Sequence, residues 1–342
     1  MNRYLKNRSV RHHGAGRFLV AVAVVAFLVS CHQPSPMQFL GQAQGTYYSI
    51  QYYDAQQRNF QPQIDSLLDA FDLSASLWVD SSLLRRINAN LTDSLDNILY
   101  TLLGNSLAIE HYTDGAFNCR VGRLVQTWGF SFKQRSEPDS TALAAMLQAA
   151  HAEVTLDNRH LTKNPDTEFD FNAIAQGYAS DLVAHFLASQ GIESYLVDIG
   201  GEVIAHGRKA DGKPWKVGIE RPAEDSISAP VVDIAIPLVD RSVVTSGNYR
   251  KYYEKDGVKY SHTIDPHTGY PVNHSLLSVS VIADSAWKAD AFATAFMAMG
   301  MEKALQYIEN NDEIKSAYFI YNENGKYKTF ATEEFKKNII TQ

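Results

Sequence analysis

Asp290 and Thr294 stand four residues apart in WKADAFATAFMAMG, a run that is apolar on nearly every side and stops at Gly300. That spacing puts both oxygen-bearing side chains on one face of a helix. A helix of this composition belongs in a core, where a carboxylate needs a partner. Two readings are open. Asp290 can serve the helix dipole from the first turn while Thr294 bonds back to a carbonyl of its own helix. Alternatively, both point at a hard cation, because Mg2+ takes carboxylate, hydroxyl and carbonyl oxygens and keeps substrate phosphates in its shell. Just upstream lies a candidate base, His262, followed by the turn formers Asp265-Pro266 and Thr268-Gly269-Tyr270-Pro271.

The elements that must position these groups can be read on either side. LLSVSVIA, immediately before the helix, alternates like a half-buried strand. In FDFNAIAQGYASDLVAHFLASQGIESYLVDIGG, residues 169–201, Asp170 precedes an amphipathic helix running through Leu187 and ended by Gly191. A buried strand follows and breaks at two glycines, an order that suits a nucleotide pocket. GAFNCRVGRLVQTWGF, residues 115–130, mixes glycines and aromatics without a period and so approaches either a ligand or another backbone closely. Helical spacing also marks IDSLLDAFDLSASLW, NILYTLLGNSLAIEHYT, TALAAMLQAAHAEV and KALQYIENN. Strands are expected in GTYYSIQYY and WKVGIERP, a turn at Thr245-Ser246-Gly247, and hairpins around Asp256-Gly257 and Asn324-Gly325. Strands and helices mix without a regular βαβ repeat, which argues for an α+β fold.

At 342 residues, 45% hydrophobic and 11% aromatic, the chain can bury one large core or two ordinary ones. Residues 1–30 carry Arg3, Lys6, Arg8, Arg11 and Arg17 with no acid, then an apolar run too short for an ordinary spanning helix; this is the plan of a secretory signal. Leu28-Val29-Ser30-Cys31 resembles the lipobox of bacterial lipoproteins, which implies cleavage before Cys31, lipid on its thiol, and a periplasm-facing body anchored at a membrane. Residues 31–44, rich in Gln and Pro, read as a flexible tether and residues 45–338 as the functional domain. Loss of the five basic leader residues takes the formal charge from −7 to −12, which disfavours nucleic acid as a partner. With Cys31 lipidated, Cys119 is left without a partner for an intrachain disulfide.

Several chemistries lack their residues. The sequence has no H-E-x-x-H or Cys/His cluster for zinc, no G-x-S-x-G elbow, no G-x-G-x-x-G dinucleotide fingerprint and no P-loop lysine motif. Phosphoryl or nucleotidyl chemistry with Mg2+ remains, served by Asp290, Thr294, the glycine turns and His262 together.

In order, GTYYSI, WVDSSLLRRIN, DGAFNCRVGRLV with WGF, DFNAIAQGYASD, LVDIGGEV with WKVGIERP, TSGNYR, HTIDPHTGYP and ADAFATA resemble the ApbE family of flavin transferases, from about Gly45 to Gly300. The resemblance implies a single compact T-fold-like α+β domain with mixed, largely antiparallel sheets and packed helices. It implies Mg2+-dependent transfer of FMN from FAD to a threonine hydroxyl of a partner flavoprotein, as a phosphoester, with release of AMP. Family targets are subunits of ion-pumping redox complexes of the Nqr and Rnf types. Carried over by position, the metal ligands would be the Ala173 carbonyl, Asp290 and Thr294. The flavin nucleotide would meet Trp78, Ala116, Phe117, Asn118, Asp170, Gln176 and Ile264, and His262 would be the base toward the acceptor. This chain has Asn118 where the family has aspartate, Arg123 for proline, Gln176 for lysine and Gln44 for methionine. The lost lysine implies weaker FAD binding, unless Arg123 supplies the charge. An FAD pyrophosphatase, with water as acceptor, and a non-enzymatic flavin-binding lipoprotein are the alternative functions.

Overall fold

A Gln-rich strand and an aromatic one open the domain as a hairpin. Strand β1 (Met37–Ala43) pairs antiparallel with β2 (Thr46–Tyr52). The turn between them is Gln44-Gly45, with φ of 54° and 72°. The second half of the expected tether is therefore a strand, and the folded domain begins near Met37 rather than Gly45. Gln-rich sequence hid it because β1 is an edge strand, half-buried only at alternate positions, where Phe39 packs edge-on to Tyr48 and Tyr52.

The computed structural model describes residues 35–130, 138–221, 231–248, 252–255 and 258–339. The expected leader, Cys31, Asp256 and Gly257 lie outside the described residues. After β2 come α1 (Gln61–Ala75), α2 (Leu83–Asn88), α3 (Asn97–Tyr112), α4 (Gly122–Thr127) and α5 (Ser140–Ala150). Ser82, Asp96 and Asp139 cap α2, α3 and α5, each accepting the backbone N–H of the third residue of its helix. The short pair β3 (Thr155–Asp157) and β4 (His160–Thr162) leads to α6 (Ala175–Ser189), β5 (Tyr195–Ile199), β6 (Glu202–His206), β7 (Trp215–Arg221), β8 (Val231–Leu238) and β9 (Arg241–Gly247). Strands β10 (Tyr252–Lys255) and β11 (Val258–Ser261) form the expected hairpin ladder. The chain closes with β12 (Leu276–Ala283), α7 (Ala286–Met299), α8 (Met301–Asn310), β13 (Ala317–Glu323), β14 (Lys326–Ala331) and α9 (Glu333–Lys336). No helix among the described residues is long and apolar enough to cross a membrane.

Among the described residues, eight strands build the main sheet in the order β1-β2-β5-β6-β9-β12-β13-β14, with every neighbouring pair antiparallel. Helices α6 and α7 pack on one face with α1 and α3 behind them. The β7–β8 hairpin and α9 cover part of the other face, where Trp215, Ile236 and Phe335 meet Val243, Ile282 and Ile320. Between these two layers LLSVSVIA is buried at every position except the half-buried Leu277, not on one face only as its alternation predicts. Its serines fit because they are small and because Ser280 bonds Thr245 at 2.7 Å. Thr245, Ser246 and Gly247, expected to turn, instead finish β9 and lie opposite Ser280, Val279 and Ser278.

Helix α7 is the most enclosed helix. Phe292 and Phe296 are fully buried, each stabilising the fold by roughly 1.5–3 kcal/mol. Its alanines let neighbouring backbones come close, and Gly300, at φ 77°, ends it.

Candidate functional site

Helices α6 and α7 cross at Gly177. A Cβ there would lie 2.5 Å from the Ala286 carbonyl oxygen and 2.8 Å from Cβ of Asp290, so only glycine fits the crossing. That proximity lets Asp290 reach across: its Oδ2 accepts the Gly177 N–H at 3.1 Å. In a helix continued backward by one turn, this N–H would bond the carbonyl of Ala173. Because Asp290 takes it, the Ala173 carbonyl is left without a backbone donor among the described residues. Asp290 is buried, and burial, reinforced by the charge of Asp181, pushes its carboxyl well above the usual carboxylate range. One turn along α7, Thr294 Oγ1 lies 3.0 Å from Ser246 Oγ.

Ala173, Asp290 and Thr294 thus all line one cavity of about 1660 Å3, and between them they carry three kinds of oxygen, a carbonyl, a carboxylate and a hydroxyl. The set fits a hard cation, since a buried carboxylate short of compensating charge stands beside neutral oxygen donors. No cluster of three or more His, Cys, Asp or Glu side chains suited to a metal occurs among the described residues. A metal here would rest on mixed carbonyl, hydroxyl and carboxylate donors, completed by substrate.

The same cavity gathers the rest of the expected site. Trp78 lines it while 61% exposed, leaving much of its indole open at the mouth. Ala116, Phe117 and Asn118 line it from the loop after α3, which is held by Thr113 (Phe117 N–H to Thr113 Oγ1, 3.1 Å) and by His267 against the Asp114 carbonyl at 2.8 Å. Asn118 is committed within the protein: its amide donates to the Ala150 carbonyl and its Oδ1 accepts the Arg120 N–H. Asp170 is buried; its N–H donates to the Cys119 carbonyl at 2.7 Å, its Oδ1 accepts the Asn172 N–H, and burial pushes its carboxyl up to about 6. The neighbouring Cys119 thiol is buried and pushed up to about 12. Gln176 enters beside the double glycine, where a Cβ on Gly200 would lie 2.9 Å from its Nε2. Ile264 and the half-buried His262 come from the opposite loop, whose turn closes through the Asp265 N–H to the Tyr270 carbonyl and is braced by Trp128 Nε1 on the Gly269 carbonyl. His262 sits edge-on to Phe130, ring centroids 6.4 Å apart.

Every expected site residue of the body therefore borders one cavity, and Cys31 alone lies outside the described residues. Arg123 does not line it. Its guanidinium pairs with Asp166 at 3.0 Å and Glu168 at 3.3 Å, so it supplies no charge to replace the lysine absent at Gln176. Lys216 of β7 does line it and is the one Lys or Arg among the described lining residues. Three contributors stand within the quoted motifs without an expected part in the site: Gly177, Ser246 and Asp181. Gly177 left a signal, an isolated glycine inside a helical pattern; the other two depend on elements far apart in sequence.

Comparison with known proteins decides the family. The profile of the ApbE family matches residues 44–319. The chain belongs to the ApbE family. The FAD:protein FMN transferase of Vibrio cholerae serotype O1 is 36% identical over 333 residues, covering 93% of this chain and 98% of that protein. The Escherichia coli K12 protein of the same name is 34% identical over 346 residues, covering 94% and 97%. Among solved structures, the flavin transferase ApbE of V. cholerae superposes with a TM-score of 0.78 at 33% identity, covering 89% of this chain and 99% of that one. The apo flavinyl transferase ApbE of Pseudomonas stutzeri gives 0.80 at 32% identity, covering 90% and 98%. The α+β single-domain architecture is that of the ApbE family, and this member, like its relatives, is a transferase.

Proposed function

We propose that this chain transfers FMN from FAD to a threonine hydroxyl of a partner flavoprotein, with Mg2+, and releases AMP. The observation that carries the reading is the convergence on one cavity of Ala173, Asp290 and Thr294 with Trp78, Asp170 and the 116–118 loop. At about 1660 Å3 the cavity exceeds the ~300–1,000 Å3 usual for one small ligand, which leaves room for a dinucleotide and an incoming acceptor segment.

The acceptor oxygen attacks the phosphorus of the FMN half, the P–O bond to the AMP half breaks, and AMP leaves with that electron pair. His262 takes the hydroxyl proton. The Ala173 carbonyl, Asp290 and Thr294 would hold Mg2+, which when bound neutralises the diphosphate and polarises the phosphorus under attack. Asp290 keeps its orientation through the Gly177 N–H, Trp78 offers a stacking face to the isoalloxazine ring, and Lys216 adds positive charge to the wall. Acceptors of the Nqr and Rnf type fit this chemistry. A lipid on Cys31, with a periplasm-facing body, follows from the leader and is part of the proposal.

Incubation with FAD and Mg2+, with and without a purified acceptor flavoprotein subunit, tests it. AMP and a fluorescent covalent band that both require acceptor are expected. AMP released at the same rate without acceptor makes the protein an FAD pyrophosphatase, and FAD bound but never cleaved makes it a flavin carrier.

A further inference from the structure

Asp181 lies on α6 one turn beyond Gly177 and is buried. Its two carboxylate oxygens accept the first two N–H groups of α7, Ala286 at 2.9 Å and Trp287 at 2.8 Å. Ser285, the residue at the N-cap of α7, makes no side-chain cap of its own. Ile174, at the N-cap of α6, has no side chain able to cap; there Asp290 of α7 bonds the Gly177 N–H. Each helix is thus capped by a carboxylate of the other. Exposed helix starts use a neighbouring Ser, Thr, Asp or Asn; here the orphan N–H groups are buried and the partner is 105 residues away.

We propose that Asp181 is a positioning residue for the metal: by fixing the start of α7 against α6 it sets where Asp290 and Thr294 stand relative to the Ala173 carbonyl. The inference rests on the metal reading given above. Asp290 and Thr294 lie four and eight residues into the helix whose first two amides Asp181 holds. A rotation or slide of that start carries both oxygens away from a carbonyl that belongs to the other helix. Nothing on α7 itself replaces the clamp, because the N-cap serine is not engaged in capping. Asp181 touches neither the ion nor the substrate in this scheme and acts only through α7.

Asp181→Asn tests it in the full chain. Asparagine keeps the size and one acceptor oxygen but loses the second acceptor and the charge. Mg2+ titrated alone into the protein, followed by calorimetry, is expected to bind about 10- to 100-fold more weakly than to wild type, the range for partners that orient metal ligands. FAD binding in EDTA is expected to be unchanged. Asp54→Asn is the control: it removes a carboxylate that accepts from Arg58, whose guanidinium meets the Gln190 carbonyl at the opposite end of α6, and so lowers thermal stability while both clamp hydrogen bonds keep their groups. If Asp181→Asn weakens Mg2+ binding no more than Asp54→Asn does, Asp181 is merely structural and the inference falls. If wild type itself binds no Mg2+, the metal reading falls first and takes the inference with it.

Discussion

The two walls of the cavity are built on opposite principles. The wall formed by α6 and α7 is buried backbone and short side chains, and its spacing is set by Gly177 and two cross-capping carboxylates. The other wall carries exposed apolar groups, Trp78 at 61% and Val232 at 58%, on a loop and a two-stranded hairpin outside the main sheet. Oxygens meant for an ion must be held to a few tenths of an ångström, so the core holds them. Groups meant to stack on a ring or admit a second protein tolerate looser placement, and surface elements supply them.

Substitutions in the two walls should therefore fail differently. Asp290→Ala should lower acceptor labelling by on the order of 100-fold or more while the protein stays soluble, since it removes the one charged donor of the set. Labelling at wild-type rate would dissolve the distinction between the walls. Gly177→Ala should cost about 1–3 kcal/mol in chemical denaturation and weaken Mg2+ binding together, because the added methyl must displace the Ala286 carbonyl. Loss of stability with an intact Mg2+ isotherm would mean the crossing does not set the donors. Trp78→Ala should weaken FAD binding by roughly 3- to 10-fold, a stacking loss of about 0.5–1.5 kcal/mol, with an unchanged melting temperature. A drop in melting temperature would show that the indole belongs to the core.

The smallest effect concerns pH. Burial pushes the carboxyls of Asp170 and Asp181 up to about 6. Between the ordinary carboxylate range near 4 and about 6 the folded protein then binds more protons than the unfolded chain, so these two groups make stability fall as pH rises through that window. Asp54, by contrast, is held down to about 2 chiefly by the Arg58 guanidinium; its contribution is complete above about 4 and is lost only as pH falls toward 2. Melting curves in EDTA should accordingly decline from pH 4.5 to 6.5, and Asp181→Asn should flatten that decline. A curve that rises through the same interval would contradict the burial assigned to the α6–α7 wall.

What the sequence disclosed follows the same division. WKADAFATAFMAMG announced α7 because enclosure on every side needs an apolar residue at nearly every position, and Asn324-Gly325, at φ 52° and 80°, announced the β13–β14 turn. The residues lining the cavity were legible because the family motifs carry them in order. Strand β1 was not, since an edge strand can be built from Gln and Gly. Nor was the second covered face of β12, since the hairpin that covers it lies elsewhere in the chain. Asp181 closes the motif DFNAIAQGYASD, yet nothing in the sequence gives it a task. Its meaning depends on two amides 105 and 106 residues away, a separation that local periodicity cannot report.

Cys119 gives the loop after α3 a reporter of its own. Its thiol is enclosed, and its carbonyl takes the amide of Asp170. With Cys31 replaced by serine, an alkylating reagent can reach sulfur only when that segment swings open, so the modification rate tracks the fraction of molecules in which it is open. Slower alkylation in the presence of FAD would measure how firmly the nucleotide latches the loop shut.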